Sequence, residues 1–204
     1  MKYLIGEKLN FDWKVVTVTV LSTLLLMVDY YHKIFPQKYL DRLLLYLVIP
    51  LFIILVVFRE NPRNYGFSFG DWKLGITYTV LGILLMAPVI YYLGHGDASM
   101  KKYYDRFLIG LPWTTFFDLL GWEFLFRGWI LFAYARKFGH EALWLQAVPF
   151  AIAHISKPEI ETVSTIFGGF AFGWVAWRTK SFIYPLLIHW FIGTFIILVA
   201  AGVI

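Results

Sequence analysis

The sequence contains no cysteine and little charge. Of its 204 residues, 15% are Asp, Glu, Lys or Arg, and 60% are hydrophobic. The absence of cysteine excludes disulfides, thiol catalysis and thiolate metal ligands. The scarcity of charge excludes an ordinary soluble domain, in which about 25% of residues are charged and 45–50% are apolar. A mean hydropathy of +0.68 therefore indicates a polytopic membrane protein.

The net charge of +5 does not indicate a nucleic-acid partner, because the basic residues lie in short loops between apolar spans. Ten Lys and Arg residues fall on the face that holds the N-terminus and seven on the other. This bias predicts a cytoplasmic N-terminus. Membrane lipid is the expected partner, and the expected location is the plasma membrane of a prokaryote.

Spans of about 20 apolar residues predict transmembrane helices. The sequence therefore predicts an all-α transmembrane bundle of about seven helices. The first span follows residues without a small-residue cleavage site, so we expect an anchor and not a signal peptide. The seven spans run near 14–31, 40–58, 74–93, 112–136, 141–155, 160–178 and 182–203.

The loop at residues 61–66 carries turn residues and predicts a boundary between two parts, 1–73 and 74–204. The second part holds nearly all the polar groups expected within the membrane. In its sixth span, Gly169-x-x-x-Gly173 predicts close packing against another helix. The aromatic and basic segment 99–111 is a candidate interfacial element.

Glu123 and Arg127 are the most informative residues of the fourth span. Between Leu111 and Ala135 the only other charged residue is Asp118. An ionisable pair at membrane depth is costly unless it is enclosed by protein, so it is a functional hypothesis by default. Residues four apart on a helix share a face, which predicts a direct hydrogen bond between the two side chains. By itself such a pair is equally consistent with helix packing.

Two histidines extend this constellation. His154 ends the fifth span and His189 lies within the seventh. Alone, His154 is consistent with an interfacial residue and His189 with a helix-to-helix hydrogen bond. A carboxylate and two imidazoles from three helices can instead supply a general base, a general acid and an oxyanion donor. We expect no cofactor, with zinc bound by Glu123, His154 and His189 as the alternative.

Three motifs in order give the chain a resemblance to a known family. They are Glu123-Phe-Leu-Phe-Arg127-Gly128, Phe150-Ala-Ile-Ala-His154 and His189-Trp-Phe-Ile-Gly193. Over roughly residues 112–200 the chain resembles the CPBP family (CAAX proteases and bacteriocin-processing enzymes, also called Abi), which are intramembrane glutamic endopeptidases. That family's motifs read EExxxR followed by Gly, FxxxH, and HxxxN or a near variant.

The resemblance implies hydrolysis of a peptide bond in membrane-associated substrates, either CAAX-like or leader-bearing. We expect water to be polarised between Glu123 and His154, with Glu123 accepting its proton. His189 would stabilise the oxyanion, and Arg127 would orient Glu123. Two positions depart from the family pattern: Trp122 stands where the first Glu is expected, and Gly193 where the Asn is expected.

Another acid could replace the missing glutamate. Glu161 opens the sixth span and is the first candidate, although an acid at a helix start also suits the helix dipole. Asp118 is the second, because it lies four residues before Trp122 and shares its helix face. The alternative functions are an inactive scaffold or immunity protein of the same fold, a metal-dependent hydrolase, and a small transporter. A transporter should show two repeated halves with broken helices, and the sequence shows none.

Overall fold

A computed structural model describes residues 9–204, and within that range the chain forms helices and loops but no β-strand. The predicted all-α class is confirmed, and each of the seven predicted spans corresponds to a helix. A further short helix lies in the candidate interfacial segment. The prediction of an anchor and not a signal peptide rests partly on residues 1–8, which lie outside the described residues. In chain order the helices are α1 (Trp13–Tyr31), α2 (Lys38–Val57), α3 (Trp72–Gly96), α4 (Ala98–Tyr104), α5 (113–138), α6 (Ala142–Ile152), α7 (Glu159–Thr179) and α8 (Ile183–Ala200).

Four of these helices, α1, α2, α3 and α8, are long and apolar enough to cross a membrane by length and composition. Many large apolar side chains of α1, α2 and α3 point away from the protein. Leu84 on α3, for example, is 65% exposed. Exposing this much apolar surface to water would be unfavourable at about 25 cal/mol per Å². These outer faces are therefore suited to lipid.

The other three helices that match predicted spans are α5, α6 and α7. Each contains charged residues or is shorter than the four spans above. Helix α5 carries Asp118, Glu123 and Arg127 within its length. Helix α6 has 11 residues, which span roughly 16 Å at 1.5 Å per residue and fall short of a bilayer core. Helix α7 begins with two acids in its first turn. The seven predicted spans thus include four helices that meet the length and composition of a membrane span and three that do not.

Helix α5 lies at the centre of the bundle, since every residue from 121 to 133 is buried. It consists of α-helical Trp113–Glu123, a π-helical stretch Phe124–Ile130 and α-helical Leu131–Phe138. π-Helical turns interrupt α-helices rarely and often at functional sites. Helix α2 approaches α5 so closely that a Cβ at Gly121 would collide with the Arg42 carbonyl.

Helices α6 and α7 pack through the predicted small-residue motif, which confirms its role in packing. A Cβ at Gly169 would lie 2.9 Å from the Cβ of Ala147, and one at Gly173 would meet the Gln146 side chain. The Gln146 amide also donates a hydrogen bond of 2.7 Å to the Gly169 carbonyl oxygen. These contacts fix the loop between α6 and α7, in which His154 lies.

The two predicted parts of the chain share one hydrophobic core. Buried residues of α1 and α2 pack in the same cluster as buried residues of α5 and α8. Ionic contacts add to this packing, because Arg42 on α2 pairs with Asp118 on α5 and with Asp29 on α1. The division into 1–73 and 74–204 remains a prediction, and the helices on either side of it are packed together.

Glu60, in the loop after α2, links three parts of the bundle. Its carboxylate accepts hydrogen bonds from Lys14 on α1, from Arg136 on α5 and, at 2.8 Å, from the Tyr65 hydroxyl. Burial alone would raise the pKa of Glu60. The three hydrogen bonds outweigh burial and lower the pKa from 4.5 to about 2.

This shift makes a prediction for stability against pH. Because the folded-state pKa of Glu60 is lowered, its stabilising contribution is present above about pH 4.5 and is lost as pH falls towards 2. We expect Glu60→Gln to lower the thermal unfolding midpoint at pH 7. The gap to the unmodified protein should close between pH 4.5 and pH 2. Glu141→Gln is the control, since Glu141 is exposed and forms no ion pair within residues 9–204. A gap that stays constant over this range would contradict the assignment.

Candidate functional site

Glu123 and Arg127 lie at the start of the π-helical stretch of α5, and both side chains are 0% exposed. Arg127 Nη1 donates a hydrogen bond of 3.1 Å to Glu123 Oε1. The direct contact predicted from the four-residue spacing is therefore confirmed. The pair is enclosed by protein, which is the condition for retaining two charges at this depth.

His189 on α8 contacts the same carboxylate oxygen. Its Nδ1 lies 2.6 Å from Glu123 Oε1. An ionised carboxylate can only accept hydrogen bonds, so Nδ1 is assigned as the protonated nitrogen and Nε2 as the one with a free lone pair. Glu123 Oε1 thus receives one donor from its own helix and one from α8.

His154 follows the end of α6 and is held by the backbone. Its Nδ1 lies 2.7 Å from the carbonyl oxygen of Phe150, which also can only accept. The same reasoning assigns the proton to Nδ1 and leaves Nε2 as an acceptor. The imidazole packs against the Phe150 ring at a centroid distance of 4.4 Å.

Two aromatic rings enclose the Arg127 guanidinium. Its central carbon lies 3.8 Å from the Phe150 ring centroid and 5.2 Å from that of Phe172. Phe172, on α7, also packs against the His189 ring at 5.3 Å. Cation–π attraction at desolvated sites contributes about 2 kcal/mol. These rings therefore hold a cation that has one hydrogen-bonding partner among the described side chains.

A cavity of about 600 Å³ lies beside this cluster, between α3, α7 and α8. His154 and His189 line it together with Lys157, Glu161 and many apolar side chains. Glu123 and Arg127 are not among the lining residues. The cavity therefore meets the two imidazoles directly and reaches the Glu123 carboxylate only through His189.

Glu161 lies in the first turn of α7, in the cavity wall, and is bound on both oxygens. It accepts hydrogen bonds of 2.6 Å from the Tyr104 hydroxyl and 2.7 Å from Lys157 Nζ. Burial alone would lower the pKa of Lys157, but Tyr104 and the Glu161 carboxylate outweigh it and raise this pKa above its usual value. Lys157 therefore stays charged, and Glu161 keeps a permanent cationic partner.

Asp118, the other candidate acid, does not line the cavity. It lies on the side of α5 that faces α2, where it pairs with Arg42. Of the two acids proposed to replace the missing glutamate, the structure brings only Glu161 into the cavity wall.

The two positions that depart from the family pattern also lie at the site. Trp122 packs edge-to-face against His154 at 5.5 Å and fills the place next to that imidazole. Gly193 lines the cavity one turn beyond His189. A Cβ at Gly193 would make one contact, 3.6 Å from Leu119 Cδ1.

Metal ligation was the alternative use of this cluster. Within residues 9–204, no three His, Asp or Glu side chains lie together as a metal-binding group. Zinc thus stays an alternative prediction, for which the described residues offer the two His Nε2 atoms.

Some residues of the site escaped the sequence analysis. Phe172 and Tyr104 carry no signal at the level of sequence, because aromatic residues are common throughout the chain. Lys157 does carry one, since it precedes Glu161 by four residues, the spacing of a helical ion pair.

The fold and the site together define a class: a helical membrane protein with a buried glutamate, an arginine and two histidines beside a cavity between its helices. Residues 104–195 match the family model described as Rce1-like, type II CAAX prenyl endopeptidase. This segment is less than half of the chain, and the match supports the resemblance to the CPBP family. This is a protease family, which supports a hydrolase embedded in the membrane. No curated protein and no solved structure matches the chain.

The burial of the Glu123–Arg127 pair makes a prediction for stability. We expect Arg127→Met to destabilise the protein by about 3–5 kcal/mol, because it leaves the Glu123 carboxylate without its cation. The double variant Glu123→Gln with Arg127→Met should be less destabilised than Arg127→Met alone, since an amide needs no counter-charge. Unfolding midpoints in mixed detergent micelles would measure both. Equal losses in the two variants would contradict a charge-based role for Arg127.

Proposed function

We propose that the chain hydrolyses peptide bonds in membrane-anchored substrates, CAAX-like or leader-bearing, within the cavity between α3, α7 and α8. The observation that carries this proposal is the 2.6 Å hydrogen bond between Glu123 Oε1 and His189 Nδ1, with the His189 ring in the cavity wall. A carboxylate that orients an imidazole beside an enclosed cavity is an arrangement suited to general base catalysis.

In the proposed reaction, His189 takes the role of general base. A water molecule in the cavity gives a proton to His189 Nε2 as its oxygen attacks the carbonyl carbon of the substrate. The buried Glu123 carboxylate stabilises the imidazolium that forms. His189 then donates the proton to the leaving nitrogen, the carbon–nitrogen bond breaks, and an acid and an amine are released. Protons and atoms balance without a further reactant.

The remaining residues support this step. His154 Nε2 accepts the second hydrogen of the water and so orients it for attack. Arg127 holds Glu123 in place through the hydrogen bond between their side chains. Glu161 shapes the cavity wall through its contacts with Lys157 and Tyr104. This division of roles differs from the motif-based expectation, in which Glu123 takes the proton itself, because Glu123 is buried behind His189.

An inactive scaffold is the second candidate. Trp122 and Gly193 favour it, since each replaces a residue that the family uses in hydrolysis. For either function we propose the plasma membrane of a prokaryote, with the N-terminus in the cytoplasm.

The first test is hydrolysis of a lipid-anchored fluorogenic peptide by the purified protein in lipid nanodiscs. Glu123→Ala, His154→Ala and His189→Ala should each reduce kcat about 100-fold or more, the usual contribution of acid–base groups. His95→Ala is the control, because His95 lies at the end of α3 and does not line the cavity.

The alternatives have distinct outcomes in the same assay. Full activity of the His189→Ala variant would remove His189 as the base. Loss of activity in chelator and recovery with Zn²⁺ would favour the metal-dependent hydrolase. No cleavage by the unmodified protein across CAAX-like and leader-bearing peptides would favour the scaffold.

A second prediction concerns the cavity. Gly168 lines it, and a Cβ added there would meet no atom within 4 Å. We therefore expect Gly168→Leu to fold normally, to fill part of the cavity and to raise KM strongly. Gly96→Leu is a matched control, since a Cβ at Gly96 also meets nothing within 4 Å but Gly96 does not line the cavity. Equal effects of the two substitutions on KM would separate the reaction from this cavity.

A further inference from the structure

Trp122 contacts both a site histidine and a cation that the proposed reaction does not use. The residue is 6% exposed. Its ring lies 5.5 Å from the His154 ring at an interplanar angle of 79°. The Arg42 guanidinium lies over the same indole, 4.7 Å from the ring centroid. One side chain therefore lies in contact with the imidazole and with the cation.

Arg42 belongs to a charged group outside the site. Its guanidinium pairs with Asp118 on α5 and lies 3.6 Å from an oxygen of Asp29 on α1. Lys38 pairs with Asp29 at 2.8 Å. The two cations and two acids balance in charge, and they join α1, α2 and α5. A guanidinium has five N–H donors, so these contacts leave Arg42 with further donor capacity.

A free N–H donor on Arg42 would compete with water for His154 if it came within reach of the imidazole. Because Nδ1 of His154 is committed to the Phe150 carbonyl, Nε2 is the nitrogen left to accept a hydrogen bond from water. An Arg N–H that reached Nε2 would occupy this lone pair. An aromatic face, in contrast, binds a guanidinium through cation–π attraction and offers it no hydrogen-bond acceptor.

We propose that Trp122 is a positioning residue that keeps Arg42 on the indole face and away from Nε2 of His154. The indole also fixes the imidazole against Phe150. Its meaning for catalysis rests on the proposed function, whereas its effect on His154 does not. In this chain a tryptophan at the position of the family's first glutamate thus preserves an acceptor nitrogen on the neighbouring histidine.

The test reads the His154 ring directly. The full chain, labelled with ¹⁵N-imidazole histidine and placed in lipid nanodiscs, contains five histidines, and His154→Gln assigns the signal. We expect the unmodified protein and Trp122→Phe to show the same Nε2 resonance, that of a nitrogen whose hydrogen-bonding partner is water. In Trp122→Leu, which lacks an aromatic face, the Nε2 resonance should shift towards that of a nitrogen bonded to a cationic donor. Adding Arg42→Met to Trp122→Leu should reverse that shift.

The rate of peptide cleavage should change in the same variants as the Nε2 resonance. Trp122→Leu should lose kcat with little change in KM, and the added Arg42→Met should recover it in part. Trp129→Phe is the control, since Trp129 is a buried tryptophan of the same helix that bonds Ser22 and not the site. Trp122→Met replaces the leucine variant if that variant does not fold.

Two results would overturn the proposal: an unchanged Nε2 signal in Trp122→Leu, or a shift that Arg42→Met does not reverse. The outcome for the proposed function is separate. If the unmodified protein cleaves no peptide but the Nε2 signals behave as expected, hydrolysis fails and the positioning role of Trp122 stands. If cleavage occurs and the signals do not respond, only the role of Trp122 fails.

Discussion

One carboxylate oxygen, Oε1 of Glu123, organises this molecule. It accepts hydrogen bonds from Arg127 on its own helix and from His189 on α8. A buried charge is tolerated only with partners and away from lipid, so α5 must be surrounded by other helices. The helices packed around α5 meet this requirement, and α1, α2 and α3 carry much of the exposed apolar surface. The arrangement of the bundle thus encloses the Glu123 carboxylate together with its partners.

The same enclosure shapes the chemistry. A glutamate that is fully buried behind an imidazole cannot meet water in the cavity, but it can orient and stabilise that imidazole. His154 and His189 each have Nδ1 fixed by an acceptor, one a backbone carbonyl and the other a carboxylate. Each imidazole therefore has one ring nitrogen, Nε2, that is left to contact water or substrate. Under the proposed function, Trp122 at the position of the first glutamate of the CPBP motif is consistent with a site in which histidines, and not a carboxylate, contact the water.

Much of this could be predicted from the sequence. The hydrophobic spans predicted the helices, and the four-residue spacing of Glu123 and Arg127 predicted the hydrogen bond between their side chains. The three motifs singled out both histidines and the resemblance to the CPBP family. The contact between His189 and Glu123 required the packing of α8 on α5, which no local pattern encodes. The places of Phe172 and Tyr104 were equally hidden, because an aromatic residue in a membrane helix has the same sequence signal whether it faces lipid, core or site. The two candidate acids could be separated only by the direction in which their helices present them.

The π-helical stretch Phe124–Ile130 has a consequence for how this chain can change. A π-turn holds one more residue than the α-helical ladder, and a single residue corresponds to a rotation of about 100° around a helix axis. The side chains after the π-helical stretch therefore point in different directions from those they would have on an uninterrupted α-helix. Deleting one residue there would restore a uniform helix and turn Arg136 away from Glu60, or Glu123 away from His189. Substitutions adjust this protein by degrees, whereas a change of length in α5 would alter the alignment of the whole bundle at once.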